Sequence, residues 1–170
     1  DVVHLANYPY TAPDKLKETL FSNLISEFRG SRTKWIINCV GFTGTPNVDA
    51  CEENKQICWD LNVTLPTMLA QFSVKENIKI INVSSGCIYD GPKDIEYTEE
   101  DEPNFGLTNP DSSWYSKTKH AAELCLQNFK NVYTLRIRMP VCNDFNSRKN
   151  YLSKILKYNN ILEEVNSKTV

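Results

Sequence analysis

Tyr115 and Lys119 stand four residues apart in the run Trp114-Tyr115-Ser116-Lys117-Thr118-Lys119, and upstream an apolar run closes on hydroxyls at Ser84-Ser85-Gly86-Cys87-Ile88-Tyr89. On a helix, residues at this spacing lie one above the other on the same face, so the ammonium can act on the phenol. A free phenol titrates near pH ~10 and is a poor acid–base group at neutrality, and a fixed positive charge nearby favours the phenolate. A serine hydroxyl at a strand end can polarise an oxygen to which the phenol hands a proton. These types and spacings are the parts of a proton relay. Tyr-x-x-x-Lys alone is common on solvated helices, and the hydroxyl-rich strand end is what gives it weight.

Ordered elements have to bring the two segments together. Asp1-Val2-Val3-His4-Leu5-Ala6 reads as a short strand, and from Asp14 the apolar residues Leu16, Leu20, Leu24, Ile25 and Phe28 recur at helical spacing until Gly30. Lys34 to Val40 and Ile78 to Val83 are apolar, β-branched runs that suit central parallel strands covered on both faces. Between them a long helical stretch, about Val48 to Phe72, carries a buried stripe of Cys51, Ile57, Leu61, Leu65, Met68, Leu69 and Phe72. A helix beginning near Ser112-Ser113 carries Tyr115 and Lys119, and Val132 to Met139 forms a further strand. This βαβ rhythm predicts an α/β fold with a doubly wound parallel sheet, Rossmann-like in plan. In such sheets ligands sit beyond the carboxyl ends of the strands, where Gly41-Phe42-Thr43-Gly44, Ser84-Ser85 and Arg138-Met139-Pro140 all fall. Alternation along the strand points Ser84 away from Ser85, and makes Ser85 the better placed of the two hydroxyls.

Composition bounds the rest. The chain has 170 residues, 41% of them hydrophobic and 24% charged, enough for one domain with a real core. A net charge of −2 with dispersed basic residues argues against nucleic acid or a membrane surface as the main partner. The longest strongly apolar stretch, Trp35 to Phe42, is too short to span a bilayer, no basic-then-apolar leader is present, and a cytoplasmic location is expected. Six cysteines (Cys39, Cys51, Cys58, Cys87, Cys125, Cys142) form no C-x-x-C pair and no His cluster, so no metal site is expected and most should be buried free thiols. His4 and His120 have no partners by spacing, and His120 is expected on the exposed side of its helix. Arg136 and Arg138 share a strand face, and at least one is expected to be structural.

Asn38-Cys39-Val40-Gly41, Leu61-Asn62-Val63, Ser-Ser-Gly-Cys-Ile-Tyr and Tyr-Ser-Lys-Thr-Lys together resemble the extended short-chain dehydrogenase/reductases that act on nucleotide sugars. The resemblance narrows on Gly41-Phe42-Thr43-Gly44-x-Pro46-Asn47-Val48-Asp49, Gly86-Cys87-Ile88, Glu99-Glu100-Asp101-x-Pro103-Asn104-Phe105, Leu135-Arg136-x-Arg138-Met139-Pro140 and Asn150-Tyr151-Leu152-x-Lys154-Ile155. These look like the bifunctional 3,5-epimerase/4-reductase that makes dTDP- or UDP-rhamnose. The resemblance implies hydride transfer from NADP(H) or NAD(H), NADPH being favoured, to the C4 ketone of a nucleotide-linked 4-keto-6-deoxy-hexose. Tyr115 would protonate the developing alkoxide, Lys119 would hold the phenol's pKa down, and Ser85 would polarise the carbonyl. Cys87 and Lys154 match the base and acid of the epimerisation half; for Cys87 a buried strand-end thiol is the alternative. Gly41, Phe42, Thr43, Tyr115, Lys119 and Pro140 would contact the cofactor, and Ser85, Gly86, Cys87, Asn150 and Lys154 the sugar. The family's asparagine falls at Asn62, where Pro66, having no N–H, would free the Asn62 carbonyl to hold a water of the relay. The resemblance leaves room for a homodimer.

The pattern departs from the family in one respect. No Gly-x-x-Gly-x-x-Gly turn to cradle a pyrophosphate occurs among the glycines at 30, 41, 44, 86, 91 and 106. The expectation is a piece of a longer enzyme, or a shortened homologue, without the first strand and its glycine turn and without most of the C-terminal substrate domain. Residues 1–141 would be a partial Rossmann-like core, 142–170 would begin the substrate region, and the isolated chain would turn over poorly or not at all. GDP-fucose synthase is a sister reading. A binding module like the reductase-like regulatory subunit of methionine adenosyltransferase is the alternative from another class.

Overall fold

The structure, a computed structural model, describes Ser22, Ser26 and residues 34–44, 47–91, 97–139, 141–146 and 150–159, the side chain of Lys154 excepted. Ser22 and Ser26 are helical; the rest of the expected helix from Asp14, the expected strand from Asp1, and Pro140 lie outside the described residues.

Three strands form one parallel sheet in the order β1-β2-β3: β1 (Trp35–Asn38), β2 (Lys79–Ser85) and β3 (Val132–Ile137). Register pairs Ile36 with Ile80 and Asn38 with Asn82 on one side, and Ile80 with Val132 and Ser85 with Ile137 on the other. Crossovers of one handedness between strands laid down in one direction carry their helices to the same face. That face holds the core, where Ile36, Leu65, Leu69, Phe72, Ile78 and Ile80 pack together with Leu61 and Val132 against them. On it Asn38 donates across the β1–β2 pair to Asn82 at 2.8 Å, so two buried amides satisfy each other between apolar neighbours. On the opposite face Trp35, Ile37, Tyr133, Leu135 and Ile137 are exposed. Continuous apolar strands suggested cover on both faces; the described helices supply it on one.

The long helix expected from Val48 to Phe72 is broken into α1 (Ala50–Glu53), α2 (Lys55–Trp59), a wide π turn (Asp60–Thr64) and α3 (Leu65–Glu76). Asn54, at φ −118° and ψ 45°, interrupts the first two. The π turn answers Pro66, which cannot donate to a carbonyl one turn back; Leu65 N–H instead reaches the Asp60 carbonyl, five residues earlier. α3 ends where Asn77 adopts a left-handed conformation (φ 54°).

After β2 a short 3₁₀ turn (Gly86–Ile88) follows, and then α4 (Trp114–Leu126). The helix begins near Ser112-Ser113 as expected, and Ser113 caps it, its hydroxyl accepting Ser116 N–H at 3.1 Å. β3 and the short α5 (Tyr151–Ile155) complete the described elements. Among the described residues no helix is long and apolar enough to cross a membrane, and no group of three or more His, Cys, Asp or Glu side chains is placed to hold a metal.

Candidate active site

α4 lies beside the carboxyl ends of the strands and turns Tyr115 and Lys119 inward; each is only 7% exposed. The Lys119 ammonium donates to the carbonyl of Val83 at 3.1 Å and sits 5.9 Å from the centre of the Tyr115 ring. Ser85, 6% exposed at the last position of β2, faces the Tyr115 phenol as its hydrogen-bonding neighbour. The structure thus brings Ser85, Tyr115 and Lys119 to one rim. Ser84 turns to the other face, where its hydroxyl donates to the Glu123 carboxylate.

Burial sets the electrostatics of this trio. Loss of water pushes the Tyr115 phenol above its ordinary value; the Ser85 hydroxyl pulls it down, while Cys87, Cys51 and Cys58 push it further up. Burial lowers the Lys119 ammonium, against which Cys58 and Glu123 act. The expectation that Lys119 would hold the phenol's pKa down is therefore corrected. The cation donates to the Val83 carbonyl, and the downward pull on the phenol comes from Ser85.

Asn62 joins this rim through its side chain. Buried on the π turn, its Oδ1 accepts the Phe42 N–H at 2.8 Å, and its Nδ2 donates to the Phe42 carbonyl at 3.0 Å and to Thr118 Oγ1 at 3.0 Å. Both backbone groups of Phe42 are held by one carboxamide. A Cβ on Gly41 would come 3.0 Å from Asn62 Oδ1 and 3.3 Å from Lys119 Nζ, so any other residue here would push on one of these side chains. Phe42 packs on the cluster of Cys51, Cys58 and Tyr115, and Thr43 continues the loop. These bonds are made by the asparagine side chain and are separate from the expected role of its backbone carbonyl.

The epimerisation residues divide. Cys87 is exposed on the 3₁₀ turn, not the buried strand-end thiol of the alternative; its N–H donates to Ser85 Oγ at 3.2 Å and its carbonyl accepts Ser116 Oγ at 2.7 Å. Gly86 lets the Arg138 stem lie across the chain, since a Cβ there would be 3.0 Å from Arg138 Cβ. The backbone of Lys154 lies in α5 and its side chain is outside the described residues, as is Pro140. Asn150, expected on the sugar, is 1% exposed and spends its amide on the chain itself. It donates to the carbonyls of Cys142 at 2.8 Å and Asp144 at 3.0 Å and accepts Leu152 N–H at 3.2 Å. That is a cap and a loop tie, because a short helix start leaves donors that an Asn satisfies.

Two further expectations are corrected by tertiary contacts. His120 is buried at 7% exposure, and its Nδ1 accepts the Leu107 N–H at 3.0 Å, because the loop before α4 folds back over the helix. Cys39, Cys87, Cys125 and Cys142 are exposed thiols, and only Cys51 and Cys58 are buried. Arg136 is the structural arginine: it pairs with Glu123 at 2.8 Å and donates to the Tyr89 hydroxyl and the Glu99 carbonyl. That network anchors the acidic loop, where the Tyr89 hydroxyl also donates to the Asp101 carbonyl at 2.6 Å. Thr118 and Ser116 escaped sequence reasoning, although both stand inside the Tyr-x-x-x-Lys run; nothing in their spacing says which neighbour each hydroxyl finds.

Fold and site together place the chain among Rossmann-like proteins built like short-chain dehydrogenase/reductases. Within that class, residues 6–167 match the RmlD substrate binding domain family, and the chain belongs to it. It is 37% identical over 155 residues to the trifunctional UDP-glucose 4,6-dehydratase/UDP-4-keto-6-deoxy-D-glucose 3,5-epimerase/UDP-4-keto-L-rhamnose-reductase of Arabidopsis thaliana, covering 88% of this chain and 23% of that one. It is 34% identical over 154 residues to the bifunctional dTDP-4-dehydrorhamnose 3,5-epimerase/dTDP-4-dehydrorhamnose reductase of the same plant, covering 87% and 50%. The crystal structure of a UDP-rhamnose synthase from Acanthamoeba polyphaga mimivirus superposes with a TM-score of 0.70 at 27% identity, covering 88% of this chain and 52% of that one. The chain spans half or less of the length of the two plant relatives.

Proposed function

We propose that this chain carries the catalytic centre of a nicotinamide-dependent reductase for a nucleotide-linked 4-keto-6-deoxy-hexose, coupled to 3,5-epimerisation in rhamnose synthesis. The carrying observation is the convergence of Ser85, Tyr115 and Lys119 at one rim, with Cys87 exposed one turn away. A close-approach glycine, Gly41, and the clamped Phe42 backbone beside Lys119 fit a flat cofactor lying along this edge. The bound nicotinamide would supply the hydride. Ser85 would hold the ketone oxygen, and Tyr115, kept protonated by burial, would give that oxygen its proton as the carbonyl becomes an alcohol. Lys119 would hold the cofactor side of the relay, its positive charge stabilising the phenolate left when Tyr115 gives up its proton. Cys87 would take the proton next to the ketone and Lys154 return one on the opposite face. The names of the relatives favour the rhamnose branch over the fucose one. A cytoplasmic setting belongs to the same proposal; all six cysteines are free, as a reducing compartment keeps them.

The test is a single-turnover incubation of the chain, in excess, with NADPH and UDP-4-keto-6-deoxyglucose, with sugar products resolved by mass spectrometry and NMR. Slow formation of UDP-rhamnose is expected, reduced roughly 10²- to 10⁴-fold by Tyr115→Phe. Cys87→Ser should abolish deuterium uptake at C3 and C5 while ketone reduction survives. Equal rates for wild type and Tyr115→Phe, or no product in either, would overturn the proposal.

A further inference from the structure

We infer that Thr118 is a positioning residue whose hydroxyl locks α4 to the Asn62 carboxamide and thereby holds the Gly41–Phe42 backbone against Lys119. This rests on the proposed function for its purpose, but not for its geometry. Thr118 is wholly buried between Tyr115 and Lys119 on α4. A hydroxyl has one proton to donate and two lone pairs to accept with. The proton goes to the Tyr115 carbonyl at 2.8 Å, the bond back along the helix that a threonine ordinarily makes. Both acceptor positions are then turned across to other elements: Asn62 Nδ2, on the π turn, lies at 3.0 Å and Cys58 Sγ, on α2, at 3.5 Å, where the thiol must be the donor because the hydroxyl's proton is already committed.

What this fixes lies beyond Thr118. Asn62 Nδ2 has two protons and three acceptors in reach, Thr118 Oγ1 and the Phe42 carbonyl at 3.0 Å and the weaker Cys58 sulfur at 3.3 Å; with the protons on the two oxygens its Oδ1 faces the Phe42 N–H. Four elements are joined by one hydroxyl and one amide: α4, α2, the π turn and the loop after β1. Gly41, one residue before the clamped Phe42, has its missing Cβ position 3.3 Å from Lys119 Nζ. A loop that drifts by an ångström either strikes the ammonium or opens a gap for water beside it. Thr118 touches no reacting atom; it acts by keeping that spacing.

Amide hydrogen exchange on the chain, read by NMR, tests this without substrate. Thr118→Val keeps the shape and removes the hydroxyl; Thr118→Ser keeps the hydroxyl. In the valine variant the Phe42 amide should exchange about tenfold faster, the effect of one lost hydrogen bond, while the Asn82 and Leu135 amides of the sheet stay within about twofold. Thr118→Ser should restore the Phe42 rate. Acceleration shared equally by the sheet amides, an unchanged Phe42 amide, or failure of serine to rescue would each overturn the inference. If the valine variant does not fold, Thr118→Ala is read by the same ratio. Because no turnover is involved, an inactive chain would sink the proposed function and leave this measurement standing.

Discussion

Replacing Asn62 by alanine should be the most damaging single change at this site that touches no reacting atom. The side chain is 2% exposed and, besides a weak contact from its Nδ2 to Cys58 Sγ at 3.3 Å, makes three bonds with nitrogen or oxygen partners that alanine cannot: from Phe42 N–H at 2.8 Å, to the Phe42 carbonyl at 3.0 Å, and to Thr118 Oγ1 at 3.0 Å. At about 1 kcal/mol net for each bond the loss is roughly 3 kcal/mol, and any of the Phe42 groups left dry adds to it. For a domain of this size that amounts to a fall in Tm of about 6–12 °C. Urea and thermal denaturation followed by circular dichroism measure it, with the m-value checked for constancy. Asn62→Asp supplies the sharper comparison. It keeps the shape and the acceptor toward the Phe42 N–H, but sets an oxygen against the Phe42 carbonyl where a donor stood, so it should cost at least as much as alanine. A loss under about 1 kcal/mol for Asn62→Ala, or a harmless Asn62→Asp, would refute the clamp.

Three further outcomes are expected. Gly86→Ala should destabilise by about 1 kcal/mol, because its Cβ would press on Arg138 Cβ at 3.0 Å, and Arg138→Gly in the same chain should relieve it, as urea titration of the two variants would show. Burial raises the folded-state pKa of Tyr115, so its stabilising contribution is full below the unfolded value near pH ~10 and is lost as pH rises through the raised folded value. Ser85→Ala should move that titration further up and Tyr115→Phe should remove it, both read by NMR of ¹³C-labelled tyrosine. Iodoacetamide at mildly alkaline pH should label the exposed Cys87, Cys39, Cys125 and Cys142 and spare Cys51 and Cys58 until the chain unfolds. Cys51 is buried and its thiol pushed up to about 12 by that burial and by Cys58, so mass spectrometry finding Cys51 modified in the folded chain would contradict the structure.

The linear chain determined β1, β2 and β3, the helix carrying Tyr115 and Lys119 with its start near Ser112-Ser113, and the meeting of Ser85 with Tyr115 and Lys119, because those follow from period and the carboxyl-edge rule of parallel sheets. It also carried the cue at Pro66: a residue without an N–H must disturb the helix one turn back, and the π turn at Asp60–Thr64 is that disturbance. What it could not carry is the destination of a side chain that bonds far along the chain. Asn62 reaches Phe42 across 20 residues and Thr118 across 56, and no local periodicity encodes such a pairing. The same limit hid the burial of His120 beneath the Leu107 backbone and the turning of Asn150 onto its own loop. The pKa directions, too, belong to the assembled molecule. Sequence gives a lysine near a tyrosine, but how much water each loses, and whether the cation meets the phenol or a backbone carbonyl, is settled by packing around them.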